Sequence, residues 1–296
     1  MPSARDATWP SHPHRLAALP YGGRSGGTAV FEGSFQRIAL FGGVYNNYWA
    51  LRAVIDDAKA RGADLILCLG DLGGFGPLPQ RIVPLLQEAE IPTLAGNYDI
   101  SVAEGLPDCG CGYSDPMDNY FAQISYSYTL DNTPPEQRRW LASLPHQARA
   151  RLGDRWIHCC HGSPRRTNEF LWESGTSEAL LRHLLTDCEA DVLACTHTGI
   201  KWHRCVKTAH GAGDVVNVGV IGRPENDGSV VVWYTLLTAG DELDVEFIPL
   251  AYDHERLAEE MRQERLPEEF VKTVTSGWWT TCLEVLPSKE RLRGMY

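Results

Sequence analysis

The chain has 296 residues, with 27 Lys+Arg against 38 Asp+Glu and a formal net charge of −11 at pH 7. Such a balance excludes gripping nucleic acid or an anionic membrane surface by bulk charge. Hydrophobic residues make up 43% and charged residues 22%, the composition of a chain with a real core. No apolar run reaches a membrane span, residues 229–237 being strand-sized, and the N-terminal stretch lacks the apolar segment of a signal peptide. The expectation is a soluble, cytoplasmic protein.

Residues 1–35 hold Pro2, Pro10, Pro13, Pro20 and the run Gly22-Gly23-Arg24-Ser25-Gly26-Gly27, without strand or helix period. They read as an extended or disordered arm. Ile38-Ala39-Leu40-Phe41 is then a short buried strand ending at Gly42-Gly43. Asn46 or Asn47 caps a helix whose apolar face is Leu51, Val54, Ile55 and Ala58, stopping at Gly62. Leu65-Ile66-Leu67-Cys68-Leu69 is a second apolar strand, ending at Gly70-Asp71. A helix over 81–89 and a short strand near 92–95 follow, the latter ending at Gly96-Asn97. Apolar strands alternating with helices predict βαβ units and a mainly parallel sheet.

A helical middle spans 117–144. A strand over 155–160 runs into His161-Gly162, and a helix over 177–186 leads to a strand over 192–195, then Thr196-His197. Strands recur at 215–220 and 230–236. Leu243, Val245 and Phe247 alternate with Asp244 and Glu246, a strand with one wet face, joined to its predecessor through Ala239-Gly240-Asp241 as a hairpin. Helices near 255–263 and 268–274 close the pattern.

Asp71, Asn97, His161 and His197 each fall just after an apolar strand, where open α/β sheets bind ligands. One carboxylate, one amide and two imidazoles form a donor set suited to a divalent transition metal. Any one of them alone is an ordinary polar strand terminus; four in tight Gly- or Thr-flanked turns are a candidate site.

In order, Gly70-Asp71-Leu72-Gly73-Gly74-Phe75-Gly76-Pro77, Gly96-Asn97-Tyr98-Asp99, His161-Gly162-Ser163-Pro164 and Thr196-His197-Thr198 resemble the motifs of the calcineurin-like metallophosphoesterases, in their compact bacterial phosphodiesterase-like branch. Asn217-Val218-Gly219-Val220-Ile221-Gly222-Arg223-Pro224 is similar to that branch's Asn-Pro-Gly-Ser-Val-Gly-Gln-Pro segment. The resemblance covers roughly residues 36–275. It implies an α/β fold, a four-layer α/β/β/α sandwich with mixed sheets. The arm is then 1–35, the metallophosphoesterase-like domain 36–250, and 251–296 a C-terminal helical extension packed on it.

The departures are as informative as the match. Where the family has Asp-x-His-Gly-Asn after its first strand, this chain has Gly43-Val44-Tyr45-Asn46-Asn47. Where the family has Gly-His-x-His, this chain has Thr196-His197-Thr198-Gly199; where it has Gly-Asn-His-Asp, the proton-donating His is Tyr98. The resemblance therefore implies that one metal of the family's pair has lost three of its four ligand positions, now Gly43, Tyr45 and Gly199. The other keeps Asp71, Asn97, His161 and His197. Random decay would strike both halves, so the pattern implies removal of one metal and retention of a single Fe, Mn or Zn. The two glycines leave a hole that Tyr45 lines or plugs.

Losing a general acid typically costs roughly 10²–10⁴-fold, and a Tyr with its ordinary pKa of about 10 replaces it poorly at pH 7. Tyr45, Tyr98 and Asp99 are the candidate catalytic residues beside the metal. Three functions follow: a one-metal, divergent phosphoester hydrolase acting on a small molecule; a repurposed mononuclear enzyme of non-phosphatase, Fe(II)/O2-dependent type; and a catalytically dead binding or regulatory protein. No nucleic acid or membrane partner is expected. Arg165, Arg166 and Arg223 are candidate anion clamps, as apt to be solvated surface. His158 and His203 read as hydrogen-bonded strand histidines, and Cys68, Cys159, Cys160 and Cys195 as small buried hydrophobes. Nine Cys, an odd number, spell no disulfide framework in a chain this long, and Cys109-Gly110-Cys111 is too short for a zinc site. Trp278-Trp279 reads as packing, a dimer contact or a pocket lid.

Overall fold

A computed structural model describes residues 16–19, 27–209 and 211–292. Among them, two mixed sheets stack between helices. One has seven strands in the order β1(Leu16–Leu19)-β2(Thr28–Phe31)-β5(Gln147–Leu152)-β6(Arg155–Cys160)-β7(Val192–Cys195)-β9(Gly211–Asn217)-β8(Trp202–Thr208). The other has four, β11(Asp244–Leu250)-β10(Val232–Thr238)-β3(Arg37–Phe41)-β4(Leu65–Cys68).

Strand period decides the layering. On β3, Ile38 and Leu40 face the seven-stranded sheet and join Ala150, Ile157, Val192 and Val216 in a core between the sheets. Ala39 and Phe41 face the other way, against Leu51, Val54 and Ile55 of α1(Tyr48–Ala60) and Val83 and Leu86 of α2(Ile82–Glu88). Leu193 and Cys195 of β7 likewise meet Leu181, Leu184 and Leu185 of α6(Glu178–Asp187) on the far side. The result is the expected α/β/β/α sandwich. Asn47 caps α1, its Oδ1 accepting the Ala50 N–H at 3.0 Å. The helical middle resolves into α4(Pro116–Asn132) and α5(Pro135–Leu141). The C-terminal helices α7(His254–Gln263) and α8(Glu268–Ser276) pack through Met261, Phe270 and Val274 against Phe75. Glu260 of α7 pairs with Arg81 at 3.0 Å. No helix among the described residues is long and apolar enough to cross a membrane.

Three expectations need correction. The sheets are not mainly parallel. The β3–β4, β2–β5, β6–β7 and β7–β9 pairs are parallel, and the other five are antiparallel. Strand β5 alternates polar and apolar residues, and β8 buries only Trp202 and Val206, so neither shows as an apolar run. The arm reading fails over 27–35: β2 pairs with β5, and Ala29, Phe31 and Phe35 are buried. Four residues are too few for that period to stand out. Positions 1–15 and 20–26 of the arm lie outside the described residues. Near 92–95 there is a single bridge, Cys68 to Thr93, in place of a strand, and the Gly96-Asn97 turn opens a helix, α3(Asn97–Glu104).

Candidate metal centre

Two turns are pressed together to make the site. Gly70 has φ 90° and Asp71 φ 57°, so the backbone reverses directly after β4. A Cβ at Gly70 would run into the Gly96 nitrogen, and one at Gly96 into the Asp71 carboxylate; only glycine allows this approach. Asp99 locks the pair. Its Oδ2 accepts the N–H groups of Asp71 and Gly96, each at 2.8 Å, and its Oδ1 that of Leu72 at 2.9 Å. The Tyr98 N–H in turn reaches Asp71 Oδ1 at 3.0 Å.

Asp71, His161 and His197 converge, one ligand atom of each lying within 4.8 Å of the others, all buried. His161 Nδ1 lies 2.7 Å from the Leu69 carbonyl oxygen. That oxygen can only accept, so Nδ1 carries the hydrogen and Nε2 turns its other face to the site. Nε2 is 3.1 Å from Asp71 Oδ2 and 3.2 Å from His197 Nδ1. A lone pair there, facing a carboxylate and a second imidazole, calls for a cation. With a proton it is an imidazolium paired to Asp71; a metal ion in its place engages all three groups. The charges follow the geometry. Burial alone would raise Asp71, yet His161 beside it holds the carboxyl below its usual range. Burial alone would lower His161, yet Asp71 holds it above. Burial and then the neighbouring His161 push His197 down to about 3.

Asn97, the first residue of α3, is fixed from behind: its Nδ2 donates to the Cys109 carbonyl at 2.9 Å. Its Oδ1 is buried with no hydrogen-bond partner, an orphan acceptor of the kind a fourth metal ligand leaves in the protein alone. Cys109 and Cys111 are joined by a disulfide, a single local bond between residues two apart. The donor chemistry, two imidazole nitrogens, a carboxylate and an amide oxygen, fits one divalent transition metal.

A family model for calcineurin-like phosphoesterases matches residues 36–233. The chain belongs to the calcineurin-like phosphoesterases. It is 26% identical over 247 residues to an uncharacterized protein of Methanocaldococcus jannaschii, covering 78% of this chain and 94% of that one. In fold it is similar to a metallophosphoesterase from Sphaerobacter thermophilus, with a TM-score of 0.63, 24% identity, and 82% of this chain and 100% of that one covered. It is also similar to a hypothetical protein from Pyrococcus horikoshii, with a TM-score of 0.66, 21% identity and coverage of 82% and 99%.

The space beside Gly43 and Gly199, where the resemblance places the family's other metal, is closely packed. Gly43 (φ 53°) is walled by Val220, whose Cγ1 a Cβ would overlap, and by the Tyr45 ring, 3.0 Å from it. At Gly199 (φ 82°) a Cβ would lie 3.0 Å from the Trp279 ring and 3.6 Å from an Arg223 guanidine nitrogen. The expected hole is therefore filled, and a cavity remains beside it. Tyr45, Asp71, Tyr98, His197 and Arg223 line that cavity with Cys111 and Cys282.

Of the three candidate catalytic residues, two face this cavity. Burial holds the Tyr45 phenol far above its usual range, with Asp71 adding and Arg223 opposing. Burial does the same for Tyr98, against hydrogen bonds from Ser125 and Thr129, and its hydroxyl lies 3.2 Å from Ser125 Oγ. Both are neutral donors at pH 7. Asp99 is placed differently. It is 1% exposed, spends both oxygens on backbone N–H groups and is absent from the cavity wall. Its three hydrogen bonds tie the turns that present Asp71 and Asn97 to each other.

The remaining sequence candidates sort cleanly. Arg165 is paired with Glu169, and Arg166 does not line the cavity. His158 Nε2 bonds Gln147 Oε1 at 2.8 Å and His203 Nε2 bonds Asp214 at 2.7 Å, both away from the metal ligands. Cys68, Cys159, Cys160 and Cys195 are buried, and burial pushes the Cys159 and Cys195 thiols up to about 12. Sequence reasoning missed Phe270, Thr281 and Cys282, tail residues that close the cavity. The one signal was Trp278-Trp279, whose second ring packs on the site.

Proposed function

We propose that this protein is a single-metal phosphoester hydrolase acting on a small molecule, with one Fe, Mn or Zn ion held by Asp71, Asn97, His161 and His197. The observation that carries this reading is the His161 Nε2 lone pair held against Asp71 Oδ2 at 3.1 Å and His197 Nδ1 at 3.2 Å. A bound divalent metal supplies a Lewis acid and lowers the pKa of a bound water. The chain does the rest. Leu69 fixes the His161 tautomer, and Asp99 sets the two turns at their spacing. The aromatic wall of Phe75, Tyr113, Phe121 and Phe270 keeps bulk water from the reacting group. Tyr98 occupies the position of the family's proton donor, and its neutral phenol donates a hydrogen bond to a departing oxygen. Because that phenol is a far weaker acid than an imidazolium, turnover of generic phosphoesters is slow.

The test is metal analysis together with hydrolysis of p-nitrophenyl phosphate and its bis-ester. One equivalent of metal, slow turnover and loss of both in Asp71→Ala are expected. A metal-loaded protein that cleaves neither ester above the Asp71→Ala background would overturn the reading.

A further inference from the structure

Arg223 is the one arginine among the cavity-lining residues and is only 6% exposed. Its guanidinium carbon sits 3.5 Å over the Trp279 ring and 5.9 Å from the Tyr45 and Phe75 rings. Among the described residues it has no ion-pair partner, and its Nε is buried without a hydrogen bond. Ring faces offset part of the cost of burying a cation, but a buried guanidinium without an anion remains costly. The group also stands beside Gly199, where the family's second metal is liganded by His: a Cβ there would be 3.6 Å from its terminal nitrogen. A positive charge thus persists in the half of the centre that lost its metal ligands.

We propose that Arg223 is the anion-binding group of the site, its guanidinium receiving two oxygens of the substrate's phosphoryl group in place of the second metal. This deepens the hydrolase reading and rests on it. Planar, bidentate recognition of a phosphoryl group is the chemistry for which arginine is suited. The ring beneath the fork and the turn that precedes Arg223 are both held by hydrogen bonds. Trp279 Nε1 donates to the Pro224 carbonyl at 2.6 Å, and its N–H to Asn226 Oδ1 at 2.8 Å. Gly222 N–H bonds the Gly43 carbonyl at 2.8 Å, and Asn47 Nδ2 bonds the Gly222 carbonyl at 3.2 Å. The cavity, about 60 Å³, is several times the roughly 10–15 Å³ that one water requires, so a phosphoryl-sized head fits. Phe75, Phe121 and Phe270 line the same cavity and favour an apolar over a charged ester group. The substrate class is a phosphate ester of an uncharged, apolar organic group.

The experiment titrates inorganic phosphate into the metal-loaded protein by calorimetry, with Arg223→Met and Arg223→Lys, acetate as control, and metal content measured for each. Expected is saturable phosphate binding, weakened at least about tenfold in Arg223→Met and by less in Arg223→Lys, with one equivalent of metal kept in all three. Acetate should bind at least about tenfold more weakly than phosphate, lacking the tetrahedral set of oxygens. Wild-type protein blind to phosphate, acetate binding as tightly, or Arg223→Met binding phosphate like wild type would each overturn the proposal. If Arg223→Met does not fold, Arg223→Lys decides: it keeps the charge but not the fork, and unchanged phosphate affinity counts against the assignment. Arg223-dependent phosphate binding without ester turnover would retain this site while defeating the hydrolase reading. Turnover with Arg223-independent binding would do the reverse.

Discussion

The Nε2 of His161 faces the carboxylate of Asp71 at 3.1 Å while the opposite ring nitrogen is committed to the Leu69 carbonyl at 2.7 Å. A proton satisfies this arrangement, and a metal ion that replaces it must release that proton on binding. Metal loading should therefore acidify an unbuffered solution. It should also raise the melting temperature, since a ligand at a hundredfold its Kd stabilises by about 2.7 kcal/mol. A chelator should reverse both effects. His161→Ala should show neither, and a chelator-sensitive melting temperature in that variant would exclude His161 as a ligand.

Rebuilding the family's first motif at Gly43 should fail. A Cβ there overlaps Val220 Cγ1, and the backbone is at φ 53°. Overpacking costs about 1–3 kcal/mol, and a left-handed non-glycine residue about 1–2 more. Gly43→Asp should thus lower stability by about 2–5 kcal/mol in urea unfolding without adding a second metal equivalent, and Val220→Ala should recover part of the loss. A Gly43→Asp protein as stable as wild type, with two metals, would show that the second site is merely empty rather than filled.

The pattern of what could be read from residues alone has a physical basis. Strands β3 and β4 are uninterrupted apolar runs closed by glycine, so their ends, and with them Asp71, are visible in one dimension. Strand β7 is likewise apolar throughout and β6 ends apolar at Cys159-Cys160, so His161 and His197, which follow them, are visible as well. Strand β5 alternates Gln147, Arg149 and Arg151 with Ala148, Ala150 and Leu152 and has one wet face, a weaker signal that the apolar-run criterion passes over. The role of Asp99 depends on three backbone N–H groups, two of them contributed by residues 27 and 28 positions away. No local pattern encodes that. The same is true of the cavity wall: Trp279 reaches Arg223 across 56 positions, from 279 to 223, because α7 and α8 pack on Phe75, and a helical period says which face is apolar but not what it covers.

The bond between Cys109 and Cys111 gives a direct count. Of the nine cysteines, seven are free. Thiol titration of denatured, unreduced protein should find seven groups, rising to nine after reduction. Because the Cys109 carbonyl holds Asn97 Nδ2 at 2.9 Å, reduction should also weaken metal binding, by less than Asn97→Ala does. Nine thiols before reduction would remove the disulfide from the account.

His158 supplies a pH dependence separable from the metal ligands. Burial, with the Arg149 charge adding to it, lowers its pKa from 6.5 to about 4. The folded state therefore keeps it neutral while the unfolded chain takes up a proton below about pH 6.5. In that window the unfolded state binds more protons, so stability falls as pH falls, until the folded pKa near 4 is reached. Between pH 7 and pH 5 this one group should remove about 2 kcal/mol from the unfolding free energy. His158→Gln replaces the imidazole with a neutral side chain that can still reach Gln147 Oε1, the present partner at 2.8 Å. Urea unfolding of both proteins at pH 7 and pH 5 should show the wild-type loss exceeding that of His158→Gln by about that amount. Equal losses would mean that His158 takes up its proton in the folded state as readily as in the unfolded one, and that its burial does not disfavour the charge.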